Sequence, residues 1–247
     1  LAEECGLKTV IIEHCINPYL IEQAYGLEKE EVIARCIESM SYAQEKGMKI
    51  IFMGWDLTRA DDMDYIHDCY DQMFKACAPE AFVLVDTFGV AVPRAAGYLV
   101  RKAKEWLPEA IIEYHNHNEY GMANAGVIEA VAAGAEVIHS SMHGLGERTG
   151  NAATEEVAAV LEILCEVDTG IKLEKMMDVS ILVENFTNRT VHPNKPIVGR
   201  TLFDVETGVG VDIIRKLGKK GFDMPISSFV PGLVGQQEGK LVLGKNS

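Results

Sequence analysis

In Glu113-Tyr114-His115-Asn116-His117-Asn118-Glu119-Tyr120-Gly121 two histidines stand two residues apart, with acidic residues on either side. On an extended strand, residues two apart project to one face, so Glu113, His115 and His117 line up together. Two imidazoles and a carboxylate at that spacing can grip one divalent cation. The same spacing also describes two solvated histidines at the end of a strand. A second stretch, Ser141-Met142-His143-Gly144-Leu145-Gly146-Glu147-Arg148-Thr149-Gly150-Asn151, sets Glu147 and Arg148 among glycines. Those glycines permit tight turns, Asn151 is a good helix N-cap, and such a loop at a helix N-terminus can hold a phosphate or carboxylate. A plain capped connection would not need Glu-Arg-Thr there.

The elements that must position these residues follow a repeating beat. Thr9 to His14 reads as a strand, Lys29 to Lys46 as a helix stopped by Gly47, and Lys49 to Met53 as the next strand. A helix from Asp61 to Ala78, a strand Phe82 to Val85 and a helix Pro93 to Leu107 follow. Ala110-Ile111-Ile112 leads a strand into the histidine motif. Then come a helix from Met122 to Ala133, a strand Glu136 to Ile138 and a helix Asn151 to Glu166. Five strand–helix units of roughly 30 residues are the size of βα modules in a parallel sheet. With no Gly-rich dinucleotide turn after the first strand, they suit an incomplete (β/α)8 barrel, an α/β fold, better than a doubly wound sheet. The reading predicts a partial barrel over 1–167, then a linker helix from Leu173 to Glu184 and a small Gly-rich appendage within 168–247. Barrel chemistry belongs at the strand ends. Those ends offer Glu13 and His14, Asp56 and Arg59, Asp86 and Thr87, the histidine motif, and the loop from His139 to Asn151.

The totals narrow the partners. A net charge of −14 over 247 residues opposes binding to nucleic acid or an anionic membrane. No apolar run nears the ~20 residues that cross a bilayer, and no basic-then-apolar leader is visible. Cys5, Cys15, Cys36, Cys69, Cys77 and Cys165 show no C-x-x-C pairing, which reads as reduced thiols in a cytoplasmic protein. Leu1 to Gly6 reads as the last turn of a helix, and Leu241 to Ser247 stops after a strand-like run. The expectation is a segment of a longer protein, inactive alone.

The pairing of H-x-H-N-(acid)-x-G with a following G-x-G-E-R-x-G-N resembles the metal-dependent acyl-CoA synthases and lyases of the barrel type. These include isopropylmalate synthase, homocitrate synthase and, more distantly, hydroxymethylglutaryl-CoA lyase. Asp86-Thr87-Phe88-Gly89 with Pro93 resembles their D-T-x-G-x-x-x-P, and Asn194-Lys195-Pro196-Ile197-Val198-Gly199 their N-K-x-I-V-G. Leu243-Gly244-Lys245-Asn246-Ser247 resembles the start of their L-G-K-x-S-G. The resemblance implies metal ligation by His115, His117 and Asn151, by Mg, Mn or Zn. It implies that Thr87 and Glu113 hold a 2-oxo acid, and that Glu147 and Arg148 lie near an acyl thioester. The implied reaction is a Claisen-type condensation of acetyl-CoA with a 2-oxo acid by a homodimer.

Departures from the family pattern bear on that reaction. The synthases' catalytic S-x-E-D reads Trp55-Asp56 here, Ile51 stands where homocitrate synthase has a carboxylate-clamping Arg, and S-G-x-H reads Thr207-Gly208-Val209-Gly210. The family's Asp after H-x-H-N is Glu119, and its A-N pair falls at Ala123-Asn124. Losing a general base and its partner costs orders of magnitude in rate. Asp56, His14 or His143 would have to take over, with His143 also a candidate for touching substrate, or the substrate differs. Two further readings stand beside the synthase: an aldolase or lyase running the cleavage direction, and a non-catalytic protein that keeps the metal site.

Overall fold

The computed structural model describes residues 2–218 and 226–242. Leu1, Gly221 and the Leu243–Ser247 motif therefore lie outside the described residues. The chain divides into two compact units, Leu1–Ala152 and Ala153–Ser247. The division falls before the last helix of the βα series, where the sequence suggested 167/168.

In the first unit, β1 (Thr9–Cys15), β2 (Lys49–Trp55), β3 (Ala81–Asp86), β4 (Ile111–Asn116) and β5 (Val137–His139) form one sheet in chain order. Every neighbouring pair is parallel. A short turn, α1 (Pro18–Leu20), is followed by a π-helical turn Ile21–Tyr25 and by α2 (Lys29–Glu45). α3 (Met63–Cys77), α4 (Pro93–Trp106) and α5 (Ala123–Ala132) fill the remaining crossovers. The strand order never reverses, so right-handed crossovers put the helices on one face of the sheet. That arrangement is the arc of a (β/α)8 barrel.

The local chemistry explains the element ends. Asp62 caps α3 by accepting from the Tyr65 amide at 2.9 Å, Pro93 opens α4, where a missing amide proton costs nothing, and Gly47 follows α2 with φ of 71°. On the helix-covered face, Phe52, Tyr70 and Phe82 meet with ring centroids 5.1 to 6.1 Å apart. Ile66, Met73, Met40 and Val100 are fully buried around them.

On the other face the register sorts the side chains into levels. Glu13, Met53, Val83, Glu113 and Val137 are successive partners across all five strands. Two residues nearer the C-terminal edge, Val85, His115 and His139 are partners, and Trp55 pairs with Cys15.

The second unit opens with α6 (Thr154–Ala159), which runs into a π-helical turn Val160–Leu164. The expected start at Asn151 is corrected: Ala153 stands at the N-cap with no side-chain hydrogen bond, and Asn151 instead pairs with His117 in an antiparallel bridge. α7 (Met176–Thr187) follows a 3-10 turn at Leu173–Lys175, and α8 (Gly208–Leu217) is capped by the Thr207 hydroxyl, 3.3 Å from the Gly210 amide. The Asn194–Gly199 segment is pinned at several points. Lys195 Nζ reaches Glu155 at 3.3 Å and Glu156 at 2.5 Å, and Gln236 donates to the carbonyls of Ile197 and Gly199 at 2.6 and 3.2 Å. A Cβ on Gly199 would lie 2.5 Å from the Pro193 carbonyl oxygen, so only glycine fits.

Truncating Phe52 to alanine removes the ring shared by Tyr70 and Phe82. Denaturant unfolding should show a loss of about 3–5 kcal/mol; a loss below about 1 kcal/mol would mean that this aromatic cluster does not organise the core.

Candidate active site

The histidine motif works through the alternation of β4. His115 and His117 turn to the open face, while the asparagines between and after them tie the strand end to α5. Asn116 Nδ2 donates to the Ala123 carbonyl at 2.9 Å, and Asn118 Oδ1 accepts from the Ala123 amide at 3.0 Å. The His117 amide donates to the Asp86 carbonyl at 3.1 Å, which carries the pairing with β3 past the strand. As a result the two imidazoles converge, Nε2 to Nε2 at 3.3 Å with rings at 84°. Two nitrogens each about 2.0–2.1 Å from one ion, at an angle near tetrahedral, are separated by about 3.3 Å.

The surroundings leave atoms of these groups short of partners and keep the His115 ring uncharged. Burial, followed by the neighbouring His139 and His117, pushes the His115 pKa down to about 4, so its ring is neutral at pH 7. His115 Nδ1, His117 Nδ1 and Asn151 Oδ1 are buried without a hydrogen-bond partner among the described residues. Buried polar atoms without partners beside converging imidazoles are where an ion or ordered water is expected. Among the described residues there is no cluster of three or more His, Cys, Asp or Glu able to hold a metal. The donor set is two imidazoles and an amide oxygen, and it fits a divalent cation short of full coordination.

The loop from Ser141 to Asn151 closes over this pair. The Asn151 amide donates to the Gly144 carbonyl at 2.9 Å, and a Cβ on Gly150, at φ of 91°, would lie 1.9 Å from that oxygen. Asn151 Nδ2 bonds the Leu145 carbonyl at 3.1 Å, which turns its oxygen free. Arg148, itself in the left-handed region, donates from Nε to Glu119 at 2.5 Å and from Nη2 to the Thr87 carbonyl. Its guanidinium lies 5.2 Å from the Phe88 ring, and that of Arg59 lies 3.7 Å from the same ring.

A cavity of about 620 Å³ opens here, lined by His115, His117, Asn151, Thr87, Glu147 and Arg148. Six of the residues given roles from sequence thus meet around one space. Glu13, Met53 and Trp55 line its other wall.

Three expected site residues are placed otherwise. Asp56, expected to serve in catalysis, is fully buried, with both oxygens held by Arg59 at 2.7 and 2.8 Å and one also by Asn17 at 2.8 Å. Its amide donates to Thr87 Oγ1 at 2.7 Å, so Asp56 positions Thr87 and Arg59 rather than meeting substrate. His143 occupies a left-handed turn position and is not among the residues lining the cavity. Glu113 is buried one level beneath the histidines and pairs with His139 Nε2 at 2.8 Å. The His139 partnership was missed, although the strand spacing of Glu113 and the end of β5 carried the signal. Phe88 between two arginines left no trace in the spacing.

Paired imidazoles at the C-terminal edge of a singly wound parallel sheet define part of a barrel enzyme's active face. Residues 1–183 match the model of the HMGL-like family, and the chain belongs to that family. It is 35% identical over 247 residues to the 2-isopropylmalate synthase of Methanocaldococcus jannaschii, covering 100% of this chain and 46% of that protein. It is 35% identical over 248 residues to the (R)-citramalate synthase CimA of the same organism, covering 100% of this chain and 48% of the relative. With the homocitrate synthase AksA of Methanothermobacter thermautotrophicus it shares 33% identity over 248 residues, 100% and 61% of the two chains. The chain spans about half the length of the curated relatives it matches. Among solved structures, hydroxymethylglutaryl-CoA lyase from Pseudomonas aeruginosa superposes with a TM-score of 0.66 at 20% identity, over 76% of this chain and 66% of that one. This likeness supports the barrel fold. No helix among the described residues is long and apolar enough to cross a membrane.

Asp56→Asn should lower stability by about 1–3 kcal/mol in denaturant unfolding while metal content stays at the wild-type level; loss of metal without loss of stability would return Asp56 to the reaction. In the metal-free protein, the stability contributed by neutral His115 is full above pH 6.5 and is lost as the pH falls from 6.5 toward 4. Thermal unfolding across that range should show the decline, and His115→Asn should flatten it.

Proposed function

We propose that the full-length protein is a metal-dependent acyltransferase that condenses acetyl-CoA with a 2-oxo acid. The observation that carries this reading is the 3.3 Å approach of His115 and His117 Nε2 on the wall of a cavity that also presents Thr87, Glu147 and Arg148. The match to relatives named as 2-isopropylmalate, citramalate and homocitrate synthases supports it.

In this reading His115, His117 and the Asn151 amide oxygen hold the cation. A divalent ion held there would polarise the keto group of the bound 2-oxo acid. Thr87 stands at the acid's carboxylate end, its hydroxyl set by the Asp56 amide. Arg148, fixed by Glu119 and the Thr87 carbonyl, shapes the mouth through which the thioester arrives, and the exposed Glu147 beside it faces the same opening. Glu113, buried and bound to His139, supports His115 from the level beneath. The thioester methyl must lose a proton to a base before carbon–carbon bond formation. Trp55 stands where the family's synthases carry an acid, so another residue of the complete protein serves there.

His115→Ala and His117→Ala in the full-length protein should each strip the metal, measured by elemental analysis. Each should lower CoA release from acetyl-CoA and 2-oxo acids, followed by thiol titration, by about 100-fold or more. Either variant retaining both metal and CoA release would overturn the assignment.

A further inference from the structure

Two carboxylates face the cavity in different states. Glu147 is paired with Arg148 at 3.3 Å. Glu13 lines the cavity with no hydrogen bond or ion pair among the described residues. It stands on β1 level with Met53 and diagonal to Trp55, and all three border the space that His115 and His117 share. Trp55 is backed by Tyr25, whose ring meets it nearly edge-on at 6.4 Å and 68°, and Tyr25 leans in turn on His14 at 5.7 Å. An unpaired carboxylate and a supported indole thus occupy one wall.

The cationic residue of the cavity, Arg148, has its guanidinium committed to Glu119, Glu147 and the Thr87 carbonyl. A second carboxylate at the far end of a substrate would meet like charge at Glu13 and donors already engaged at Arg148. A cation in the same place would gain charge-assisted hydrogen bonds to Glu13 and a favourable contact with the indole. Met53 beside them can shape itself to the methylene chain leading there.

We infer that Glu13, with Trp55 beside it, is the specificity-determining residue of this cavity. It selects a 2-oxo acid whose far end carries a positive charge over one that ends in a carboxylate. The inference rests on the proposed reaction and names the substrate class for it.

Three probes of one chain length differ only at the far end: 5-guanidino-2-oxopentanoate, 2-oxopentanoate and 2-oxopentanedioate. Calorimetric binding to the metal-loaded full-length protein, together with CoA release from acetyl-CoA, reads the preference. The guanidino acid should bind about tenfold or more tighter than the dicarboxylic acid. Glu13→Gln, which keeps the shape of the side chain, should close most of that gap, and Glu13→Lys should reverse it. Absence of the gap in the wild type, or its persistence in Glu13→Gln, overturns the assignment. No CoA release from wild type with any of a wider panel of 2-oxo acids overturns the reaction and this inference with it.

Discussion

The convergence of His115 and His117 depends on the pleat of β4 and on its register with β3. Pairing with Val85 and Asp86 holds the end of β4 so that alternate side chains leave on one face. A slip of one residue would send both imidazoles into the helix layer and bring Tyr114 and Asn116 to the cavity. The buried row of Phe52, Phe82 and Ile112 prevents that slip, because each side chain fills a place that a polar residue could not occupy without a partner. The apolar layer on one side of the sheet therefore sets the chemistry on the other.

Around that strand end, buried polar groups act as struts. Asp56 holds Arg59 and Asn17 and sets the Thr87 hydroxyl. Asp86 accepts from the Thr58 hydroxyl at 2.6 Å and from the amides of Val90 and Ala91 at 3.0 and 3.1 Å, which fixes the turn after β3. Phe88 on that turn lies between the Arg59 and Arg148 guanidinium groups and links it to the loop that closes the site. Acidic residues that look catalytic in a motif are here the framework for their neighbours. They are fully satisfied, and a satisfied buried carboxylate has little left to offer a substrate.

Among the described residues, several of the buried atoms left without partners belong to residues that line the cavity. Among the described residues, His115, His117 and Asn151 keep unpaired atoms, and Glu13, exposed on β1, lines the same cavity with no partner. Asn151 reaches this role because it does not cap a helix. α6 begins only at Thr154, and the amide of Asn151 is spent on the Gly144 carbonyl within the loop.

Strands and helices of the barrel arc could be read from the chain because their apolar spacing is local: buried parallel strands are short apolar runs, and helices repeat every three to four residues. The H-x-H pair was legible for the same reason, since two residues on one strand share a face by geometry alone. Contacts between residues far apart in sequence were not legible. Whether Asp56 meets substrate or Arg59, whether Glu113 meets His139, and whether Asn151 caps a helix or faces the histidines depend on which elements arrive beside them. The sequence by itself determined the fold class and the spacing of the donor pair. The tertiary structure alone decided which charges are spent on their neighbours and which remain for a ligand, because that balance is struck between strands and loops brought together only by folding.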